Sequence, residues 1–520
     1  MSLFATLMEI VMTRPSDASV RVERAATANL IGLRGGARVD FPGRLLGEVT
    51  IEWSLFAPGR LDGPSQTSFG SVRLNNQGER FDDLTPWIGG LWTIKVWQVT
   101  IASGAVETPI DLDALDPVFT GRCAAPQLGT DAIEIPLRSP MRGFDLALET
   151  DTFAGDNVGT TGDEGELALA GVVKPTTLGL ALHVPAPASN EEAGRHLVNN
   201  GPVEDVVEAY ANGDAAAFTE DLANGRYGYS VNVKGLVRTA DVKGDKPDGI
   251  WRSTAGALIT HLATTRAGIA SVNATELAAV EAAAPQVVGF YAGARTTIRV
   301  AADFLARGAR IYYLTDGLGT LRLGVLEAPD EEPVLTVKPH MLINAAGGRP
   351  FTLVPLSRAA EASDEDSALL ANDDGSLPVW KVTVRGRRYW IGNRADNQIA
   401  AGLTFEQIAD LKREWREEPA ADEAIKTAYP DADQLVIDTA FVDTADMQDA
   451  AASTLAIRRW PQQILRASVW TRYAPGWLLG ATVAFEHPRL QLAAGPTFRV
   501  LRRLTAGPVT TFDLWRPVVS

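Results

Sequence analysis

Apolar and polar residues alternate in the stretch TSFGSVRLNNQGERFD at residues 67–82. Val72 and Leu74 fall on one face of an extended chain, while Ser71 and Arg73 fall on the other, and this period of two is typical of a β-strand. The letters NNQG that follow indicate a turn, because Asn and Gly adopt positive φ at little cost. The stretch therefore predicts a strand that ends in a turn.

Further strands are predicted on both sides of this stretch, from runs rich in β-branched and aromatic residues. They lie at residues 47–57, 91–101, 119–122 and 131–137. Short strands separated by turn signals favour an antiparallel sandwich or barrel. The region around these strands is therefore expected to form a first β-barrel-like domain.

The hydrophobic pattern changes to a helical period between residues 251 and 330. Three short helices are predicted, with N-terminal caps at residues 253–254, 273 and 296–297. A strand, the turn residues DGLG and a second strand follow, which is the pattern of a β-hairpin. Helices followed by a hairpin indicate a small α+β module.

The last part of the chain predicts strands interrupted by helices. A strand is expected from about residue 378, and the runs ASVWTRY, GATVAFEHP, TFRVLRR and VTTFDLW predict strands near the end. One helix is predicted at residues 404–418, where Thr404 and Gln407 form a capping box, and another at residues 444–459. The apolar face of the first of these helices would carry Phe405, Ile408, Leu411 and Trp415.

Together these elements predict an α+β fold that is predominantly antiparallel β, with two barrel-like domains, a small α+β module and helical insertions. The chain is long enough for several hydrophobic cores. The expected parts are an N-terminal arm at 1–16, a first β-barrel-like domain at 17–150, an irregular β segment at 151–250, a small α+β module at 251–335, and a second β-barrel-like domain at 336–520 with a helical insertion at about 404–460.

The N-terminal stretch MSLFATLMEIVMTRPSD is apolar, but Glu9 interrupts it and no basic residue precedes the apolar run. A signal peptide would begin with basic residues and end at small ones. We therefore expect a short arm or helix that docks on this protein or on a neighbour. No apolar run reaches the roughly 20 residues that a membrane-spanning helix requires.

The formal net charge is −16, from 64 acidic and 48 basic residues. This balance argues against a protein that grips nucleic acid, because phosphate binding needs clustered lysines and arginines. It does not exclude a channel through which DNA slides, since a mildly repulsive wall would prevent sticking.

The spacing of possible metal ligands gives little support for a metal site anywhere in the sequence. The five histidines, His183, His196, His261, His340 and His487, are scattered, and no HExxH motif is present. Two acidic groups could suggest calcium, but neither has the Gly and Glu positions of an EF-hand loop, and we expect solvated loops. These groups are Asp111, Asp113 and Asp116, and Asp364, Asp366, Asp373 and Asp374.

Catalytic signatures are equally weak. Cys123 is the single cysteine, so an intramolecular disulfide is impossible, and the expectation is a small buried residue. There is no GxSxG motif and no dinucleotide or phosphate loop. Some pair of carboxylates will be found anywhere among 64 acidic residues, so a glycosidase pair has no specificity. The tryptophans are expected in cores or subunit interfaces, above all Trp87, Trp92, Trp97, Trp380, Trp390, Trp470 and Trp477. We therefore predict no enzyme, no catalytic residue, no cofactor and no metal.

The residue pattern of the opening stretch resembles that of a known protein family. The run S-F-G-x-V-x-L-x-N-x-G-x-x-F-D, an apolar strand and then V-F-x-G-R resemble the N-terminal domain of tail-tip (baseplate hub) proteins of long-tailed bacteriophages and prophage-derived particles. Further segments that resemble this family follow in the same order along the chain. They are Lys174-Pro175, Gly201-Pro202-Val203, Asp241-Val242-Lys243-Gly244, Leu479-Gly480 to Val483, Gly495 to Val500, and Leu514-Trp515.

The resemblance implies a structural virion protein. In that family two barrel-like domains per subunit form a pseudo-sixfold ring from three subunits at the distal end of the tail tube, and DNA passes through the ring. A homotrimer in the virion is thus expected, made in the host cytoplasm, with the distal tail protein, tape measure and fibres as partners. Contact with the host envelope is possible in this interpretation, and sequence-specific binding of nucleic acid is not expected.

Two other classes remain open at this stage: an all-β carbohydrate-active enzyme, and a host-surface module that binds glycans. Converging carboxylates in a deep cleft would favour the first, and exposed aromatic patches would favour the second. The long helical interruption in the second β region departs from the family pattern. No C-terminal fibre or receptor-binding module is apparent in the sequence, which favours a scaffold over an adhesin.

Overall fold

The computed structural model describes residues 3–57, 60–61, 63–101, 108–231, 233–344, 350–354, 356, 376–391, 395–474 and 476–519. The fold is α+β with predominantly antiparallel sheets, which confirms the predicted fold class. Several separate sheets and four clusters of buried apolar residues organise the described chain.

The first 150 residues are almost entirely β-structure. The strands predicted at residues 91–101, 119–122 and 131–137 are confirmed, and the opening stretch forms two short strands that meet at Gly70. The strands are β1 (Leu3–Thr13), β2 (Val20–Ala26), β3 (Leu30–Arg34), β4 (Ala37–Phe41), β5 (Thr50–Ser54), β6 (Gln66–Phe69), β7 (Ser71–Asn75), β8 (Trp92–Ile101), β9 (Ile110–Asp111), β10 (Phe119–Arg122), β11 (Gln127–Leu128) and β12 (Ala132–Pro136).

The N-terminal stretch is not an arm or a helix, and that expectation is wrong. Residues Leu3–Thr13 form β1, which lies inside a four-stranded sheet of order β10-β8-β1-β2. Leu7 and Met8 are both fully buried although they point to opposite faces, so the strand shows no alternation of apolar and polar residues. Glu9, which interrupts the apolar run, pairs with Arg24 and Arg34 at 2.7 and 2.8 Å.

The middle of the chain contains a regular sheet where the sequence predicted an irregular segment. A five-stranded sheet has the order β17-β16-β20-β13-β22, and a four-stranded sheet has the order β14-β15-β19-β18. The strands here are β13 (Thr176–Pro185), β14 (Ala188–Asn190), β15 (Arg195–Leu197), β16 (Val203–Ala211), β17 (Asp214–Ala215), β18 (Phe218–Asp221), β19 (Arg226–Tyr229), β20 (Arg238–Asp245), β21 (Ser271–Val272), β22 (Gly289–Ala292), β23 (Ile311–Thr315) and β24 (Thr320–Val325).

The three helices predicted between residues 251 and 330 are confirmed. They are α1 (Ala255–His261), which continues into a π-helical turn, α2 (Ala274–Ala283) and α3 (Ile298–Arg307). The side chains of Asn273 and Thr297 accept hydrogen bonds from the first turns of α2 and α3, as N-caps do. Strands β23 and β24 form the predicted hairpin.

The last region combines a large sheet with a smaller one that carries helices. The large sheet runs β25-β31-β32-β33-β30-β26, and the smaller one runs β28-β27-β29. The elements are β25 (Leu335–Val337), β26 (Phe351–Val354), β27 (Val379–Gly386), α4 (Phe405–Leu411), β28 (Arg416–Ala421), α5 (Glu423–Ala428), β29 (Asp433–Asp438), α6 (Thr444–Arg458), β30 (Gln462–Trp470), β31 (Thr482–Phe485), β32 (Thr497–Ala506) and β33 (Val509–Pro517).

Helix α6 and the capping box of Thr404 and Gln407 confirm two predictions in this region. The helix predicted at residues 404–418 is shorter than expected, because α4 ends at Leu411 and the strand β28 begins at Arg416. Its predicted apolar face is also partly wrong, since Phe405 is 86% exposed.

Both ends of the chain build one hydrophobic core. Strand β5 pairs with β32, so that Ser54 lies opposite Arg502 and Thr50 lies opposite Ala506. The core that results extends in sequence from Met8 to Trp515. The β-rich regions at the two ends therefore support each other directly. None of the helices in the described ranges is long and apolar enough to cross a membrane.

Candidate assembly surface

The side chains that the sequence singled out for chemistry lie mostly in packed surroundings. Cys123 is 8% exposed and forms an isolated bridge with Leu137 at the end of β10. Burial raises the pKa of its thiol to about 12, which keeps the sulfur protonated at neutral pH. A protonated buried thiol is a poor nucleophile, so Cys123 belongs to the core.

The histidines are distributed over several elements. His196 packs against Tyr227 and Tyr229, His340 lies beside Tyr473, and His487 lies beside Phe351. The buried His261 lies 3.6 Å from Asp245, which also pairs with Arg266. Within the described part of the chain, no group of three His, Cys, Asp or Glu residues has the arrangement of a metal site.

The two acidic groups have different outcomes. Asp111 ends β9, and Asp113 and Asp116 follow it in an exposed connection, where Asp113 accepts a hydrogen bond from the backbone N–H of Gly35. Asp111 accepts one from the backbone N–H of Asp113. The second group, Asp364, Asp366, Asp373 and Asp374, lies outside the described residues.

A buried polar cluster was missed at the sequence level. His183 lies between the rings of Tyr210 and Tyr389, at 4.2 and 4.1 Å, and its backbone N–H donates to Asp241. The Tyr210 hydroxyl lies 2.8 Å from Glu208 and 2.9 Å from Asp241. Burial raises the pKa of Asp241. A phenol has one proton to donate, so a protonated Asp241 would complete this network.

This cluster joins two modules of the fold. Leu182 of β13 forms an isolated bridge with Tyr389, and Tyr389 donates to Asp410 of helix α4. Its only sequence signal is the spacing of His183, Tyr210 and Asp241 on separate strands, which does not reveal their contact. The surface depressions that contain Arg122, Arg138, Arg142 or Asp116 are lined by residues outside this cluster.

Two of the tryptophans named above are buried in a core, and Trp87, Trp390 and Trp477 pack against a core while partly buried. Trp92 and Trp97 are each 3% exposed, whereas Trp470 is 40% exposed. Trp477 packs edge to face on Trp53 of β5, with 5.6 Å between the ring centroids. The tryptophans therefore mainly join strands.

A surface trough is formed by two adjoining depressions of about 370 and 550 Å³. Both depressions are lined by Arg122 and Arg138, and Arg142 lines the larger one. All three guanidinium side chains belong to exposed residues. We call this surface the arginine trough.

Local structure fixes the spacing of these arginines. Arg122 ends strand β10, and the backbone N–H of Arg138 donates to the Arg122 carbonyl at 2.9 Å. Ser139 then caps a 3-10 helix, Pro140–Asp145, that carries Arg142. A β-carbon at Gly143 would overlap the carbonyl of Ala267, so glycine permits the close approach of the two segments that form the floor.

The trough has a net positive charge. Among the described residues, no carboxylate lies within ion-pairing distance of Arg122, Arg138 or Arg142, and no Asp or Glu lines either depression. Its margin also carries exposed apolar side chains. These are Leu91, Leu146 and Leu318, at 46%, 56% and 48% exposure. Arginines beside exposed apolar groups are typical of the centres of protein–protein interfaces.

Comparisons with known proteins give structural matches only. No protein-family description matches the sequence, and no curated protein matches it. One solved structure that it resembles is the 43 kDa tail protein of prophage MuSo2 from Shewanella oneidensis, with 12% identity over 94% of this chain and 99% of the other, at a TM-score of 0.37.

Two further structures match over most of their length. The tail protein from Neisseria meningitidis MC58 is 11% identical, covers 94% of this chain and 96% of its own, and has a TM-score of 0.39. A chain of the virion of a native gene transfer agent particle is 11% identical, with 72% of this chain and 91% of that chain covered, and a TM-score of 0.40. The chain is thus distantly similar, over most of its length, to proteins of phage tails and related particles.

Proposed function

We propose that this chain is a structural, non-enzymatic subunit of a phage or prophage-like tail, and that it acts as a hub protein at the tail tip. One observation supports this most directly. The resembling segments at the two ends of the chain lie far apart in sequence, yet their apolar residues meet in a single core. These residues are Phe69, Val72, Leu74, Phe81, Phe119, Leu479, Val483, Phe498, Val500, Leu514 and Trp515.

That core explains why the resembling motifs occur as an ordered set. Each of these terminal motifs supplies buried side chains to that core, and Val203 and Val242 of the middle motifs are buried in a separate core, so the motifs serve packing rather than a reaction. The remaining exposed features, the arginine trough and the sheet edges, are suited to contacts with neighbouring subunits. We therefore extend the proposal to a homotrimeric ring with two barrel-like domains per subunit.

In this proposal the ring closes the distal end of the tail tube and lets DNA through its lumen. The net charge of −16 supports passage rather than binding, because an acidic wall repels phosphate. The partners would be the distal tail protein, the tape measure and the fibres. The site of action would be the virion, after synthesis in the host cytoplasm.

The position in the particle is the direct test. An epitope tag placed in the exposed turn at residues 247–249 would be introduced into the particle-producing genome, and purified particles would be imaged after labelling with a gold-conjugated antibody. Label at the distal end of the tail is the expected result, with threefold symmetry in averaged images of that end. Label confined to the capsid, or particles with complete tails that lack the protein, would refute the proposal.

A further inference from the structure

We propose that the arginine trough of one copy receives the turn carrying Asp111 and Asp113 of a second copy. The inference rests on the proposed self-assembly and names the surfaces through which it occurs. We call residues 111–113 the aspartate turn. Its two carboxylates would face Arg122 and Arg138, so that the contact is head to tail and can close into a ring.

The aspartate turn has charge that the protein itself leaves unneutralised. Asp111 and Asp113 are exposed, and in the described structure neither has a cationic partner within ion-pairing distance. The neighbouring hairpin β3–β4 carries two arginines that already have acidic partners. Arg34 pairs with Glu9, and Arg38 pairs with Asp40. The backbone hydrogen bond from Gly35 to Asp113 holds the turn in place.

The two surfaces lie toward opposite ends of the long strand β8. Arg122 is opposite Thr93, near the start of β8. Leu112, between the two aspartates, packs in the apolar cluster that contains Val99 and Ile101, at the end of β8. Val99 lies six residue steps along the strand from Thr93, which is about 20 Å. An aspartate turn therefore cannot fold back into the trough of its own chain without unpairing β9 from β3.

Charge complementarity favours an acidic segment of a second copy as the occupant of the trough. Two copies that each carry a net charge of −16 repel each other, so a stable contact needs local positive charge on at least one side. The arginine trough supplies three guanidinium groups that have no carboxylate within ion-pairing distance in the described part of the chain. Partial burial under Leu91 and Leu146 would lower the local dielectric constant and strengthen each pair beyond an exposed surface salt bridge.

Asp116 is not part of the proposed contact. It lines a separate depression together with Leu318. Reversal of Asp116 therefore tests whether any negative charge in this region suffices, or whether the position of Asp111 and Asp113 matters.

The experiment uses charge reversal within the full chain, with weight-average mass measured by sedimentation equilibrium over a range of concentrations. The trough variant carries Arg122→Asp and Arg138→Asp, and the turn variant carries Asp111→Arg and Asp113→Arg. Each alone should raise the dissociation constant of the wild-type assembly by tenfold or more, on the order expected for like charges in contact. A chain with all four changes should return to within about tenfold of the wild type, because the charges are complementary again.

Matched controls separate this contact from general charge effects. Arg413→Asp and Asp431→Arg change exposed charges on a different module and should leave assembly unchanged. Because Asp113 accepts a structural hydrogen bond, Asp111→Asn with Asp113→Asn gives a milder variant that keeps an acceptor oxygen. It should weaken assembly without a change in circular dichroism or thermal midpoint.

Three outcomes would overturn the inference. The first is a wild-type chain that stays monomeric at every concentration. The second is a trough variant and a turn variant that assemble as the wild type does. The third is a chain with all four changes whose dissociation constant stays as high as that of the trough or turn variant. The last result would assign the trough to a different acidic protein. None of the three depends on where the protein lies in a particle, so the labelling of tails tests the proposed function separately.

Discussion

At the scale of single residues, the buried side chain of His196 is expected to make the stability of the fold depend on pH. It is 1% exposed. Burial, helped by the charge of Arg238, lowers the pKa of the imidazole from about 6.5 to about 4. The folded protein therefore holds His196 neutral at a pH where the unfolded chain would take up a proton.

We predict that His196 makes the protein less stable as the pH falls from about 6.5 towards 4. Over this range the imidazole of His196 binds a proton in the unfolded state but not in the folded state. The free energy of unfolding should therefore fall by up to about 3 kcal/mol. In His196→Phe, which keeps an aromatic ring beside Tyr227 and Tyr229, that part of the pH dependence should disappear. Chemical denaturation at several pH values measures it.

His340→Gln provides the control for this prediction, because His340 is exposed. Its curve of stability against pH should follow the wild type. A His196→Phe curve that also follows the wild type below pH 6.5 would show that His196 is already protonated in the folded protein, or that another group governs the acid limb.

The residue scale also shows what could be predicted before the structure. The buried environment of Cys123 follows from its place beside a strand end, and the structure confirms it. The contact of His183 with Tyr210 and Asp241 could not be predicted, because the three residues lie on strands whose pairing is set by the register of the whole sheet. The same holds for the three arginines of the trough, since an exposed arginine carries no sequence signal of its surroundings.

At the scale of elements, β5 is the link between the two ends of the chain. Trp53 on this strand is 6% exposed and packs against Phe69 and Trp477, with ring centroids 6.1 and 5.6 Å away. Across the strand pair, Arg502 donates to Glu52 at 2.6 Å, although the two residues are 450 positions apart. The strand thus fixes the N-terminal region to the C-terminal sheet.

We predict that Trp53→Ala lowers the free energy of unfolding by about 3–5 kcal/mol, the usual cost of removing a large aromatic side chain from a core. Trp470→Ala removes the same kind of side chain from a 40% exposed position and should cost much less. Denaturant unfolding of both variants measures the difference. Equal losses for the two tryptophans would show that β5 contributes little to the joint core.

Elements were predicted well where their period is visible. Helix α3 has a clear hydrophobic pattern, α2, α3 and α6 begin at capping residues, and the hairpin β23–β24 contains turn residues. Strand β1 was missed because both of its faces are buried, which removes the alternation. Strand β28 was missed because Arg416, Glu417 and Glu418 continue a helix-forming composition, while pairing with β27 decides their conformation.

At the scale of the whole molecule, the sequence predicted the fold class, while the pairing of distant parts came only from the structure. The predicted boundaries treat the first and last β regions as separate domains, and that division stays a prediction. The core that spans Met8 to Trp515 could not be anticipated, because no local pattern indicates which strand β32 accepts as its neighbour.

The shared core leads to a prediction about fragments cut in the exposed segment at residues 330–332. Residues 1–331 lack the partner strand β32, which leaves one edge of β5 unpaired and part of the core open to water. Residues 332–520 alone expose the other side of the same core. Each fragment should therefore aggregate or unfold without cooperativity when produced alone, whereas the two co-expressed fragments should purify as a one-to-one complex with a single unfolding transition. Size-exclusion chromatography and thermal unfolding decide this, and two independently folded fragments that do not bind each other would contradict the joint core.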